Sequence, residues 1–171
     1  GEDYIQIYNN YIHNTYEQGG AIRLYSATAI TYVHIRGNEF DWINCPNTET
    51  ECYGNGWAIQ VQAGAHDRIL FEYNTGKRMA DFSEATATNS IYRNNYLHDF
   101  EPSYFATTDP GLHPDVFQPC GGDCTVYTEN VFENNLSDKM ESELTNGDEV
   151  NAHWIQGREQ TGDGAADIII R

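Results

Sequence analysis

Positive charge is scarce in this chain. Nine lysines and arginines stand against 26 aspartates and glutamates, and the formal net charge of the 171 residues is −17. That balance argues against a nucleic-acid partner, since phosphate binding needs a basic face. No segment reads as a signal peptide or a membrane span. Helical periodicity is missing as well, so nothing points to an α or α/β fold. Cysteine is confined to four residues in two local pairs, Cys45 with Cys52 and Cys120 with Cys124. Their spacing is unlike the usual zinc patterns. It reads as two loop-closing disulfides in an oxidising compartment, and hence as a secreted or cell-surface protein.

What is present is a repeated phrase, an apolar-alternating run ending in Asn-x-apolar. Ile5-Gln6-Ile7 leads to Asn10 and Ile12, and Val33-His34-Ile35 to Asn38 and Phe40. Ile69-Leu70-Phe71 leads to Asn74, Tyr92 to Asn95 and Leu97, and Thr125-Val126-Tyr127 to Asn130 and Phe132. A strand-period phrase recurring every few tens of residues is the mark of a solenoid of strands. With no helix between copies, the fold expected is all-β, a right-handed parallel β-helix of about five coils. It occupies residues 1–171 as a single domain. The chain starts and stops within the phrase and carries no cap. It is therefore expected to be a piece of a longer helix, or one that self-associates through open ends.

A second phrase lies between copies of the first: Ala21-Ile22-Arg23, Ala58-Ile59-Gln60, Val116-Phe117-Gln118 and Trp154-Ile155-Gln156, with Ala80-Asp81-Phe82-Ser83 as the copy in coil three. Alternation along a strand turns Ile22, Ile59, Phe82, Phe117 and Ile155 inward. From these to the next asparagine the gaps are 16, 15, 13 and 13 residues, whereas from each asparagine onward they run from 8 to 25. Insertions gathered on one arc often mark a binding face.

Stacked positions form columns. Asn10, Asn38, Asn74, Asn95 and Asn130 are expected at one corner, where asparagine tolerates the left-handed conformation and its amides bond from coil to coil. Two residues earlier, Tyr8, Arg36, Glu72, Arg93 and Thr128 face outward, and Arg36, Glu72 and Arg93 form an exposed ion-pair ladder. Three residues after the asparagine stand His13, Asp41, Lys77, His98 and Glu133, a surface mixture. The acidic excess reads first as a solvated surface suited to salt. Calcium is the one cofactor it suggests, with Asp163-Gly164 and Asp167 as the nearest ligand group.

The column beside the insertions carries the chemistry. Arg23, Gln60, Gln118 and Gln156 face outward, with His113, Asp115 and His153 just upstream and Trp57 and Trp154 on the same side. Amides and guanidinium groups bond hydroxyls and carboxylates, and aromatic faces cover the C–H faces of sugar rings, so the partner indicated is a polysaccharide. The plainer alternative is that His113 and Asp115 anchor a loop and the glutamines form a structural ladder.

The segment His113-Pro114-Asp115-Val116-Phe117-Gln118, followed by Asn130-Val131-Phe132-Glu133-Asn134-Asn135, resembles a His-x-Asp-x-x-Gln phrase of secreted right-handed parallel β-helix proteins. That superfamily includes pectate-lyase-like polysaccharide lyases and polygalacturonase-like hydrolases. Neither group's catalytic phrases occur in the chain, so the resemblance implies the fold and a carbohydrate substrate without transferring a site. The expectation is β-elimination on a uronate-containing glycan. His113 or His153 is the base, Asp115 orients it, Gln118, Gln156 and Arg158 bind the substrate, and Lys139 is an alternative base. One rival is a glycoside hydrolase pairing Asp115 with Asp109 or Glu101. The other is a non-catalytic adhesin, phage-spike or filament protein.

Overall fold

The computed structural model describes residues 4–15, 20–25, 28–41, 43, 57–79, 81–100, 115–118, 130–140, 153–155 and 169–170. Among these there is no helix. The strands are, in order, β1 (Ile5–Tyr8), β2 (Tyr11–His13), β3 (Ile22–Tyr25), β4 (Thr31–Arg36), β5 (Glu39–Asp41), β6 (Trp57–Glu72), β7 (Thr75–Lys77) and β8 (Asp81–Thr88). Then come β9 (Ile91–Arg93), β10 (Tyr96–Phe100), β11 (Asp115–Gln118), β12 (Val131–Glu133), β13 (Leu136–Met140), β14 (His153–Ile155) and β15 (Ile169–Ile170). They form a ten-stranded sheet along the path β14-β11-β8-β6-β9-β12-β15, with β3 and β4 paired to β6 and β1 to β4. A second sheet has the order β13-β10-β7-β5-β2. Every pairing is parallel.

Where the sequence alternates, a strand buries one face. In β3, Ile22 and Leu24 are buried while Arg23 and Tyr25 are exposed. Register aligns Ile7, Ile35, Phe71, Tyr92 and Phe132 across five strands. The rings of Tyr92 and Phe132 stack with centroids 5.0 Å apart, and Phe71 meets Phe82 edge-on at the same separation. In the five-stranded sheet the inward line is Ile12, Phe40, Gly76, Leu97 and Ser137. Glycine in that line has a steric cause, since a Cβ on Gly76 would lie 2.6 Å from Phe82 Cε2. The Phe82 ring occupies the room that a side chain would need.

An amide ladder joins the repeats. Asn38 Oδ1 accepts from Asn10 N and Nδ2, both at 3.0 Å. Asn74 accepts in the same way from Asn38, and Asn95 from Asn74. The next acceptor is Asn135, not the expected Asn130, at 3.1 Å from Asn95 N and 2.9 Å from its Nδ2. Asn130 belongs to another column: it accepts from Ser90 N at 3.0 Å, while Ser90 Oγ accepts from Ile69 N. The fifth repeat is thus shifted by five residues, which places Glu133 beside Arg93 instead of Thr128, and Asp138 beside His98 instead of Glu133.

The left-handed conformation falls one residue before the ladder, not on it. Asn9, Gly37, Tyr73, Asn94 and Asn134 have φ between 51° and 66°. Tyr32, Arg68 and Asn89 make a second such column, and Asn14, Arg78 and Asp99 a third. Bends at equivalent points release each ladder asparagine to bond along the stack, which is why that residue itself keeps an ordinary backbone.

Candidate functional site

Coil three was expected to place Phe82 opposite Ile59 and Phe117. Phe82 is buried in the core, yet the residue in register with both is Ser83. The correction brings two carboxylates into the expected site. Trp57 pairs with Asp81, the same register sets Asp81 beside Asp115, and Asp115 pairs with His153. Two positions on, Ser83 follows Ile59 and precedes Phe117 and Ile155; one further on, Arg23, Gln60, Glu84 and Gln118 form a line. Parallel neighbours lie about 4.8 Å apart; the first line, from Trp57 to His153, is in phase with the buried Ile59, Ser83 and Phe117, and the last, from Arg23 to Gln118, is offset from it by an odd number of positions.

The expected site residues fare unequally. Arg23 is exposed, with its guanidinium 4.9 Å from the Tyr25 ring centroid. Gln60 is buried at 3% exposure, so it does not floor an open groove. Asp81, which sequence reasoning did not select, is 5% exposed. Trp57 is partly buried, and its indole Nε1 meets no acceptor among the described residues. Asp115, Gln118, His153 and Trp154 are placed by register alone: Trp154 follows His153 in β14, and the partner of His153 is Asp115, not His113. Lys139 lies in β13 of the five-stranded sheet, away from the sheet that carries Asp115 and His153. His113, Gln156, Arg158, Asp109, Glu101, Asp163, Asp167 and all four cysteines, Cys45, Cys52, Cys120 and Cys124, lie outside the described residues. No group of three histidines, cysteines or acids suited to a metal occurs among the described residues.

The ladder of Arg36, Glu72 and Arg93 is present, with Glu72 between the arginines in register. Arg93 Nε donates to Glu72 Oε2 at 2.7 Å, and Arg36 Nη1 stands 3.6 Å from Oε1. Glu72 is not exposed, as expected of the ladder, but 2% accessible beneath its partners. Burial works to raise its pKa, and the bonds from Arg93 and His34 outweigh that, holding the carboxyl below the ordinary value. Sequence reasoning missed His34, whose Nε2 lies 2.9 Å from Glu72 Oε1 and whose Nδ1 lies 2.6 Å from the Tyr8 phenol. A second buried acid, Asp41, is held low in the same way: burial raises its pKa, and Arg78 and Tyr11 lower it further. Lys77 stands 3.5 Å away.

No protein-family model, curated protein or solved structure matches this chain.

Proposed function

We propose that the chain is an extracellular right-handed parallel β-helix that cleaves a uronate-containing polysaccharide by β-elimination. Two all-parallel sheets, an asparagine ladder and three columns of left-handed bends support closure into coils, and parallel crossovers are right-handed in nearly all proteins. The observation that carries the reaction is the register pair of His153 and Asp115. Imidazole is the side chain chemically suited to act as a base near neutral pH, so His153 serves as the base and the neighbouring carboxylate orients it. A uronate carboxylate beside Asp81, Asp115 and Glu84 needs a cation. Arg158, Arg23 or a bound calcium ion supplies it in this reading. The pairs Cys45–Cys52 and Cys120–Cys124 belong to the same proposal, and thiol titration before and after reduction tests them.

Asp81 favours a second reading. The register, continued, places it on the strand adjacent to Asp115, and retaining glycoside hydrolases use two neighbouring carboxyl groups roughly 5–5.5 Å apart. It takes the place for which Asp109 and Glu101 were the sequence candidates. A panel of polysaccharides, followed both by unsaturated-product absorbance and by new reducing ends, decides between the two. The lyase reading expects unsaturated ends, and His153→Ala to lower turnover by about 100-fold or more. Reducing ends without unsaturation, lost in Asp81→Asn, establish hydrolysis instead. Neither product on any polymer returns the chain to a non-catalytic surface role.

A further inference from the structure

A hydrogen-bonded chain of side chains stands apart from the His153 column, on the outward face of β1, β4 and β6. Glu72 is ionised and accepts from His34 Nε2–H at 2.9 Å. With that nitrogen carrying the proton, Nδ1 is left as an acceptor, so the Tyr8 phenol donates to it at 2.6 Å. The carboxylate thus fixes the tautomer, and the tautomer fixes the phenol. Tyr8 keeps 36% of its surface, and its oxygen lone pairs are not used by His34. Its register neighbour on β4 is Arg36, whose side chain is 55% exposed and lies 5.0 Å from the Tyr73 ring centroid. Arg93 takes the short bond to Glu72, whereas Arg36 makes the longer 3.6 Å contact and keeps an exposed side chain.

Tyr8 and Arg36 are register neighbours on adjacent strands, whose backbones run about 4.8 Å apart. In a uronate the acidic C–H and the carboxylate are carried by the same carbon, so a proton acceptor and a carboxylate binder on neighbouring strands suit one sugar. We propose that Tyr8, His34 and Arg36 form an acid–base site for a uronate sugar, with Arg36 holding the carboxylate and Tyr8 taking the adjacent C5 proton. Uronate as the substrate rests on the function proposed above; the site does not. Partial desolvation and the Tyr4 phenol raise the Tyr8 pKa, so the phenol is protonated at rest. It works as a relay: as Tyr8 Oη takes the C5 proton, its own proton passes to His34 Nδ1, and Glu72 stabilises the imidazolium. The C5–H electron pair becomes the C4–C5 double bond. The C4–O bond breaks, its electron pair goes to the leaving oxygen, and that oxygen recovers the proton from His34 through Tyr8. No co-reactant is consumed.

The test uses nuclear magnetic resonance on the full chain with trisaccharides of galacturonate, mannuronate, guluronate and glucuronate. Each is added to about 10 mM, above the millimolar Kd of a weak site. At least one is expected to move the Arg36 Nε and Tyr8 ring signals and to exchange its C5 proton in deuterated water. Tyr8→Phe keeps the ring and should slow exchange by about 100-fold or more while binding persists. Arg36→Gln should weaken binding by about tenfold or more. Glu72 acts through His34 as a positioning residue, so Glu72→Gln should shift the pH profile of exchange without abolishing binding. No signal change with any trisaccharide overturns the proposal, as does binding without C5 exchange or undiminished exchange in Tyr8→Phe. If His153→Ala abolishes turnover and Tyr8→Phe does not, the relay falls and the function proposed at His153 stands. The reverse pattern keeps the relay and removes His153.

Discussion

Single asparagines carry much of the order in this molecule, and they differ in what they satisfy. Asn74 is 1% exposed. Its Oδ1 accepts from Asn38 N and Nδ2, and its Nδ2 donates to Ile35 O and Asn95 Oδ1. Truncation leaves the Asn38 amide and the Ile35 carbonyl buried without partners, at about 1–3 kcal/mol each. Asn74→Ala is expected to lower stability by about 3 kcal/mol. Asn10→Ala, at the exposed end of the described ladder, should cost about 1 kcal/mol. Urea unfolding of the two variants checks this, and equal losses would mean that the ladder adds nothing beyond surface turns. Which asparagine continues the ladder was not legible beforehand. Residues 130–135 offer Asn130, Asn134 and Asn135 within six positions, and only pairing separates the acceptor from the left-handed residue before it.

Among the strands, legibility followed alternation. Residues such as Val33 and Ile35 alternate with His34 and Arg36, so their inward direction was plain from sequence, and the parallel pairing of their strands follows the repeat. It failed in β8, where Asp81, Phe82 and Ser83 are all buried and no alternation survives to set the register. The partnership of Asp115 and His153 was nearly readable, because the apolar Phe117 and Ile155 stand two residues after each. The chain from Tyr8 through His34 to Glu72 was not, since it joins residues 26 and 38 apart that share no phrase. The strand-level prediction concerns Gly76 in β7 and Phe82 in β8. A Cβ on Gly76 would meet Phe82 Cε2 at 2.6 Å and Leu97 Cδ2 at 3.1 Å. Gly76→Ala should therefore cost about 1–3 kcal/mol by overpacking. Adding Phe82→Leu opens the space, so the double variant should lose less than the two single losses together. Strict additivity in the thermal midpoints would show that Phe82 is not what excludes a side chain at position 76.

At the scale of the whole molecule, two electrostatic effects oppose each other. The net charge of −17 makes the compact chain repel itself at neutral pH. Against this, Glu72, Asp41 and Asp67 are held ionised inside local networks. In each, burial raises the pKa, while Arg93 and His34, Arg78 and Tyr11, or Asn89, Arg68 and Thr88 lower it further. Their folded pKa values lie below the ordinary 4.5 for Glu72 and 3.8 for the two aspartates. The sign follows: these groups stabilise the fold at pH above those ordinary values, and the contribution is lost as pH falls through the depressed folded values. Salt acts mainly on the repulsion, because exposed charges are screened and the covered acids much less so. At pH 7, raising sodium chloride from about 0.05 to about 0.5 M shortens the screening length from roughly 14 to 4 Å and should raise the melting temperature. Lowering the pH below about 4 should then bring a fall that added salt does not reverse, since protonation removes the carboxylates that Arg93, Arg78 and Arg68 hold. Scanning calorimetry over both variables separates the effects. A melting temperature that drops with salt at pH 7 would mean that attraction within the networks outweighs the repulsion of the 26 acids, and full stability retained well below pH 3 would remove Glu72, Asp41 and Asp67 from the account.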